Sequence, residues 1–123
     1  GHCTNIEDII GCADITVFPS KREGLGMAGL ESLSMGVPVL ASDNRGTREY
    51  MHDGKNGVVC GHCDVSGFAD GIWKLKNLSQ KEKTQMTDAC INSVRRFDKG
   101  NTAAVMKKIY SDVTARIEKN YVK

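Results

Sequence analysis

The spacing of apolar residues changes from strand-like runs to helical periods as the chain proceeds. Near the N-terminus, Thr4-Asn5-Ile6-Glu7 has the S/T-x-x-E form of a capping box and predicts a short helix that stops near Gly11. Ile15-Thr16-Val17-Phe18 is a continuous apolar, β-rich run. Pro19 has no N–H to give to a ladder and closes it as a first strand. A helix is expected from about Gly26 to Met35, with Gly36 as its left-handed terminator. Val37-Pro38-Val39-Leu40-Ala41 predicts a second buried strand, and Thr47 to Met51 a helical turn. After the turn pairs Asp53-Gly54 and Asn56-Gly57, Val58-Val59-Cys60 predicts a third strand.

From there the period is helical. The first of three helices spans about Val65 to Asn77, with Asp64 as N-cap and Val65, Phe68, Ile72 and Leu75 inward. The second spans about Gln80 to Phe97, with Met86, Cys90, Val94 and Phe97 inward. The third spans about Asn101 to Lys119, with Met106, Ile109, Val113 and Ile117 inward.

Strands that alternate with helices imply an α/β fold with a parallel sheet and right-handed crossovers. Three strands are few for a doubly wound sheet, and such domains normally open on a strand rather than a helix. The expectation is therefore the second half of a Rossmann-like domain: three short parallel strands, flanking helices and a helical C-terminal region. The 123 residues form one unit, 1–123, with no repeat, low-complexity tract or linker. The first residues, Gly1-His2, without a Met, suggest a fragment. Ligands of such sheets bind beyond the carboxyl ends of the strands. Here those ends lead into Pro19 to Gly29 and Ser42 to Arg48, both rich in Gly, Ser and charged residues.

Composition narrows the function classes. The net charge is +2, and the 17 Lys and Arg are spread along the chain, densest on its helical half. Binding of nucleic acid would need a basic stripe or cluster, so these charges read as solvated helix faces. No run reaches the ~18 apolar residues of a membrane span, and no secretory signal is visible. The five cysteines, Cys3, Cys12, Cys60, Cys63 and Cys90, are then expected as reduced thiols of a cytoplasmic protein.

The chemistry concentrates in Pro19-Ser20-Lys21-Arg22-Glu23-Gly24-Leu25-Gly26-Met27-Ala28-Gly29-Leu30-Glu31. Gly24 and Gly26 allow close approach of backbone to a ligand, and the helix start offers free N–H groups and the positive end of a dipole to a diphosphate. Glu31, about one turn into the helix, repels phosphate but accepts hydrogen bonds, which suits a ribose diol. Glu23, before the helix, is placed to accept from sugar hydroxyls. From spacing alone, a surface turn shaped by glycines fits as well. Gly24-Leu25-Gly26-Met27-Ala28-Gly29 also matches the dinucleotide fingerprint G-x-G-x-x-G, with Asp43 at the end of the next strand as its ribose acid. Against that stand the residues Pro19 to Glu23 between strand and first glycine, and the shortness of the helix before Val37.

The ordered string is more specific than any one motif. Pro19-Ser20, Glu23-Gly24, Gly26, Glu31, Met35-Gly36-Val37-Pro38-Val39, Ala41-Ser42, Gly46, Glu49, Gly54 and Gly57, with Asp14 upstream and Asp64 downstream, resembles the retaining glycosyltransferases of family 4, with their E-x7-E motif and GT-B fold. The likeness runs over roughly residues 1 to 78. It implies that Glu31 holds the ribose of a nucleotide sugar and that Glu23 contacts the donor sugar and acts in catalysis. The amides of Gly24, Leu25, Gly26, Met27 and Ala28 would lie by the sugar and diphosphate. It also implies retained anomeric configuration, no cofactor and no obligatory metal, the Lewis-acid role falling to a basic Arg and Lys pair. In the family that pair lies in the earlier half of the domain, and an N-terminal domain supplies most of the site for a carbohydrate or lipid-linked acceptor. Lys21 and Arg22 occupy variable positions of the pattern. The resemblance therefore implies the donor half of a hexose transferase, inactive as this chain alone. In the longer parent it would be cytoplasmic or peripheral at the inner face of the membrane. The alternative is a non-catalytic nucleotide-binding or interaction fragment.

Other residues invite different chemistry. Cys60-Gly61-His62-Cys63 is a C-x-x-C dithiol between a strand and a helix, where a dipole would lower a thiol pKa. It has Val59, not an aromatic residue, before it and no proline after it. With His52 and His62 it also suggests four metal ligands, though the spacing matches no standard zinc pattern. Reduced, incidental thiols are the simpler reading. Arg45 and Arg48 are candidates for substrate contact or for an ion pair with Glu49, Trp73 is expected to pack on its helix's edge, and His2 is too near the terminus to read. The missing strands of the half-domain would leave a bare sheet edge, which predicts self-association.

Overall fold

The fold is described by a computed structural model over residues 3–121, with the side chains of residues 120 and 121 left aside. His2 lies outside the described residues. In chain order the elements are α1 (Ile6–Gly11), β1 (Thr16–Phe18), α2 (Met27–Ser34), β2 (Val39–Ser42), a 3-10 turn (Thr47–Glu49), β3 (Gly57–Cys60), α3 (Val65–Lys76), α4 (Gln80–Val94), a 3-10 turn (Arg95–Phe97) and α5 (Lys99–Tyr121).

The three strands form one parallel sheet in the order β1-β2-β3, as expected of half a Rossmann-like domain. Val17 pairs with Leu40, and Leu40 with Val58. Strand β2 is central and fully buried, and its Val39, Leu40 and Ala41 join Leu30, Leu33, Tyr50, Leu75, Met86 and Cys90 in the core. That burial explains why its sequence is continuously apolar rather than alternating.

Local side chains cap the starts of α3 and α4. Asp64 caps α3 by accepting from the Gly67 amide. Ser79 and Glu82 form a reciprocal capping box that starts α4. At the N-terminus the expected box does not form. Asn5, not Thr4, occupies the N-cap without a side-chain bond, and the Thr4 hydroxyl donates to Asn5 Oδ1 instead (3.3 Å).

Two helix faces also differ from expectation. Helix α3 buries Gly71 and Leu75, with Phe68 half-buried, while Val65 (83% exposed) and Ile72 (41%) face outward. Gly71 is the cause: its bare Cα lets α3 lie directly on Leu40 and Val58, which turns the helix away from the larger apolar stripe. In α5, Met106, Ile109, Val113 and Ile117 are all exposed, because the helix leaves the core after Phe97 and packs mainly against the preceding turn. Helix α4 keeps the expected face, with Met86, Cys90 and Val94 buried and Phe97 half-buried beyond them. Among the described residues no helix is long and apolar enough to cross a membrane.

Candidate functional site

The carboxyl ends of β1 and β2 open into two loops, Pro19 to Gly26 and Asp43 to Gly46, and the fold ties them together with buried bonds. Asn44 is the hub. Its Nδ2 donates to the Ser20 carbonyl at 3.0 Å, and its Oδ1 accepts from the amides of Gly46 (3.0 Å) and Thr47 (3.1 Å). Thr47 in turn donates its hydroxyl to the Ser42 carbonyl at 2.7 Å. From the same segment, the Tyr50 hydroxyl donates to the Gly26 carbonyl at 3.0 Å. Tyr50 is fully buried, and its ring meets Phe97 edge-on at 6.5 Å.

The glycines of the first loop divide into two kinds. Gly26 is the N-cap of α2 in a left-handed conformation (φ 82°), and a Cβ there would stand 2.9 Å from both the Phe18 ring and the Tyr50 oxygen. Gly29, one turn on, has the Tyr50 hydroxyl pressed against it. Both are required by packing within the chain. Gly24 is different: a Cβ there would meet nothing within 4 Å. It sits exposed at the rim, just before a helix whose start has no side-chain cap, and the amides of Met27 and Ala28 find no acceptor among the described residues.

The two glutamates border this helix start from different sides. Glu23 is half-buried in the loop, its backbone and Cβ against Gly46. Its carboxylate also acts on Tyr50: burial, and then the negative charge of Glu23, push the phenol up to about 12. Glu31 is exposed and lines a cavity of about 520 Å3 between α2 and the end of α4, with Met27, Leu30, Val94 and Phe97. Leu25 is half-buried against the core, while Met27 and Ala28 are exposed. A second cavity, of about 540 Å3, opens at the opposite, amino ends of the strands beside Asp14 and Pro38, away from both loops.

The remaining candidates are placed as follows. Arg48 forms a two-pronged pair with Asp43 (2.6 and 2.8 Å), so its partner is not Glu49; Glu49 lies 3.8 Å from Arg96. The Arg48 hydrogen bonds hold the Asp43 carboxyl below the usual carboxylate range. Asp43 is thereby engaged, and α2 does not begin until Met27, so the tight strand-to-helix turn of a dinucleotide site is absent. Arg45, Lys21 and Arg22 are exposed, with no ion-pair partner among the described residues. Trp73 is 65% exposed, with the Lys76 ammonium 5.4 Å from its ring centre.

The dithiol does not have the environment of a reactive thiol. Cys60 is buried at the end of β3. Desolvation, with the carboxylates of Asp64, Asp53 and Asp70, pushes its thiol up rather than down. Cys60 and Cys63 are both free thiols, and no three His, Cys, Asp or Glu side chains converge as metal ligands among the described residues.

Reading the sequence did not single out Asn44 or Tyr50. Both lie in a stretch that reads as polar loop and turn. The available signal was Asn44 itself, three residues before a helical turn, where its side chain can mimic a backbone acceptor.

Comparison with known proteins agrees with this architecture. The model of the family described as glycosyl transferases group 1 matches residues 1–95. EpsD of Bacillus subtilis (strain 168), named as a glycosyltransferase, is 36% identical over 90% of this chain and 29% of its own length. A D-inositol 3-phosphate glycosyltransferase from Thermobispora bispora is 27% identical over 93% of the chain and 26% of its own length. The chain thus spans less than a third of the curated relatives it matches. Among solved structures, a sucrose-phosphate synthase from Thermosynechococcus elongatus superposes with a TM-score of 0.81 at 21% identity, covering 88% of this chain and 27% of that one. The pneumococcal O-GlcNAc transferase GtfA, solved with UDP and GlcNAc, gives 0.75 at 21% identity over 93% and 24%. The family match over most of the chain places it among the glycosyl transferases of group 1, with a Rossmann-like piece of the GT-B fold.

Proposed function

We propose that this chain is the donor-binding part of a retaining glycosyltransferase that moves a hexose from a nucleotide sugar to a carbohydrate or lipid-linked acceptor. The observation that carries the reading is Gly24. It is the one glycine of the segment Gly24 to Gly29 that internal packing does not require, and it borders the uncapped start of α2. A ligand that lies on the backbone there gives a reason for the missing side chain. In this reading the amides of Gly24, Leu25, Gly26, Met27 and Ala28 face the diphosphate and sugar. Glu31 accepts from the ribose hydroxyls, and Glu23 accepts from the sugar hydroxyls and stabilises the positive charge that develops at the anomeric carbon.

The rest of the machinery is assigned to parts of a longer protein: a basic pair over the diphosphate, and an acceptor site on a preceding domain. No metal is required, because that pair neutralises the leaving diphosphate. Without it, this chain binds the donor weakly and transfers nothing. The parent works in the cytoplasm or at the inner face of the membrane. The chain alone self-associates along the free edge of β1.

Amide-resolved NMR titration with UDP-glucose, UDP-N-acetylglucosamine and GDP-mannose tests the reading. Shifts confined to residues 23–31 for at least one donor are expected. The absence of shifts with all three at millimolar concentration would overturn it, as would measurable transfer by the isolated chain for its silent half.

A further inference from the structure

We infer that the segment Asn44 to Tyr50 is a buried two-point clamp on the Ser20-to-Gly26 loop, in which the Tyr50 hydroxyl is the positioning residue for the first turn of α2; that this loop holds a donor rests on the reading above. Two bonds, each spanning 24 residues of sequence, fix the loop at its ends: Asn44 to the Ser20 carbonyl and Tyr50 to the Gly26 carbonyl. Both side chains are at least nine-tenths buried, and Glu23 lies between their attachment points.

The Gly26 carbonyl is a specific point of control. It accepts from the amides of Gly29 (3.0 Å) and Leu30 (3.4 Å), and so closes the first turn of α2. The Tyr50 hydroxyl is a third donor to the same oxygen. Its ring fills the space that side chains at Gly26 and Gly29 would otherwise take. The helix start is thus held from beneath by a phenol, while its outward amides stay free. A phenol is protonated, hence a donor, across the neutral range, and burial extends that state to higher pH. A hydrophobic residue here would fill the core but leave the carbonyl with its helical partners alone, free to tilt with the loop.

Tyr50→Phe isolates the hydroxyl, because the ring stays. In the free chain, hydrogen exchange is expected to quicken about fivefold to tenfold at the Gly29 and Leu30 amides, with the amides of β2 unchanged. Titration with UDP-glucose, UDP-N-acetylglucosamine and GDP-mannose is expected to show about fivefold weaker binding for whichever the unaltered chain binds. Phe97→Leu is the control. It loosens the edge contact to the Tyr50 ring and leaves the hydroxyl in place, so exchange at Gly29 and Leu30 should not rise selectively. Unchanged exchange in Tyr50→Phe, or a uniform rise through the sheet, overturns the clamp. Selective exchange with undiminished donor binding overturns its positioning role. If the unaltered chain binds none of the three sugar nucleotides, the donor reading fails, and the exchange measurement still decides the clamp.

Discussion

Gly46 lies against Glu23: a Cβ on Gly46 would stand 2.8 Å from the Glu23 carbonyl oxygen and 2.9 Å from its Cβ. The backbone of Gly46 is in the ordinary right-handed region (φ −70°, ψ −44°), so any residue could take its conformation. Only the approach of the Glu23 loop requires the glycine.

Gly46→Ala is therefore expected to act on the neighbouring loop rather than on its own backbone. Such overpacking costs about 1–3 kcal/mol unless the contact yields. Here the contact is backbone, so the Glu23 loop must move outward. Chemical shifts of Glu23 and Gly24 should change more than those of β2, and donor binding should weaken. A variant with unaltered stability and an unaltered Glu23 resonance would show that the loop gives freely and is not held at this point.

Two side-chain anchors of the segment after β2, Asn44 and Arg48, should also rank unequally by their bonds. Asn44→Ala leaves the Ser20 carbonyl and the amides of Gly46 and Thr47 without their partner in a nearly dry site. A loss of about 3–4 kcal/mol is expected, the low end for three orphaned groups at about 1–3 each, because the bond to the Ser20 carbonyl is only part-buried. Arg48→Ala breaks the shorter, two-pronged pair with Asp43, yet both side chains are exposed, so little stability should change. Urea titration of the two variants checks the order. If Arg48→Ala proved the more damaging, the hub assigned to Asn44 would be wrong.

How much of this was legible in the sequence depended on whether local chemistry or distant partners decided the outcome. Strands β1 and β2 were readable because Ile15 to Phe18 and Val37 to Ala41 are apolar runs, the first closed by Pro19 and the second opened after Gly36. Glu23 and Glu31 were readable as a pair because their spacing belongs to an ordered string. The faces of α3 and α5 were not. Ile72 and Val65 are as apolar as Leu75, but which stripe turns inward was set by Gly71 meeting Leu40, a contact about thirty residues distant in sequence. The apolar period of α5 is real, and no part of the described core lies opposite it. Tyr50 escaped notice for the same reason: its role is a hydroxyl placed under Gly26, and nothing near Tyr50 in sequence marks that meeting.

Alkaline pH should unfold the chain through two buried acids. Burial raises the Tyr50 phenol from 10.0 to about 12 and the Cys90 thiol from 9.0 to about 12. In both, the unfolded state releases its proton first, so between those values it binds fewer protons than the folded state, and stability falls as pH rises. The contribution is complete below about pH 9 and fades from there to about pH 12. Denaturant midpoints should decline through this window, and Cys90→Ala should soften the part that begins near pH 9. In difference spectra against Tyr50→Phe, tyrosinate absorbance from Tyr50 should appear only as the fold is lost. Its appearance near pH 10 in a folded chain would contradict the buried placement.

Self-association should follow the sheet rather than the long helix. The Thr16 amide donates to the Pro38 carbonyl, so by alternation the N–H of the next residue, Val17, points to the open side of β1. The Val17 side chain is 45% exposed, and no strand covers that edge among the described residues. A short strand with a bare edge is a template for a second copy. The competing surface is the exposed stripe of Ile109, Val113 and Ile117 on α5. Sedimentation at rising concentration separates the two. Val17→Lys should lower the association constant about tenfold while leaving the core intact, because a charged edge resists pairing. Val113→Glu should leave it nearly unchanged. The reverse result would move the contact to α5, and a monomer at every concentration in the unaltered chain would remove the edge from consideration altogether.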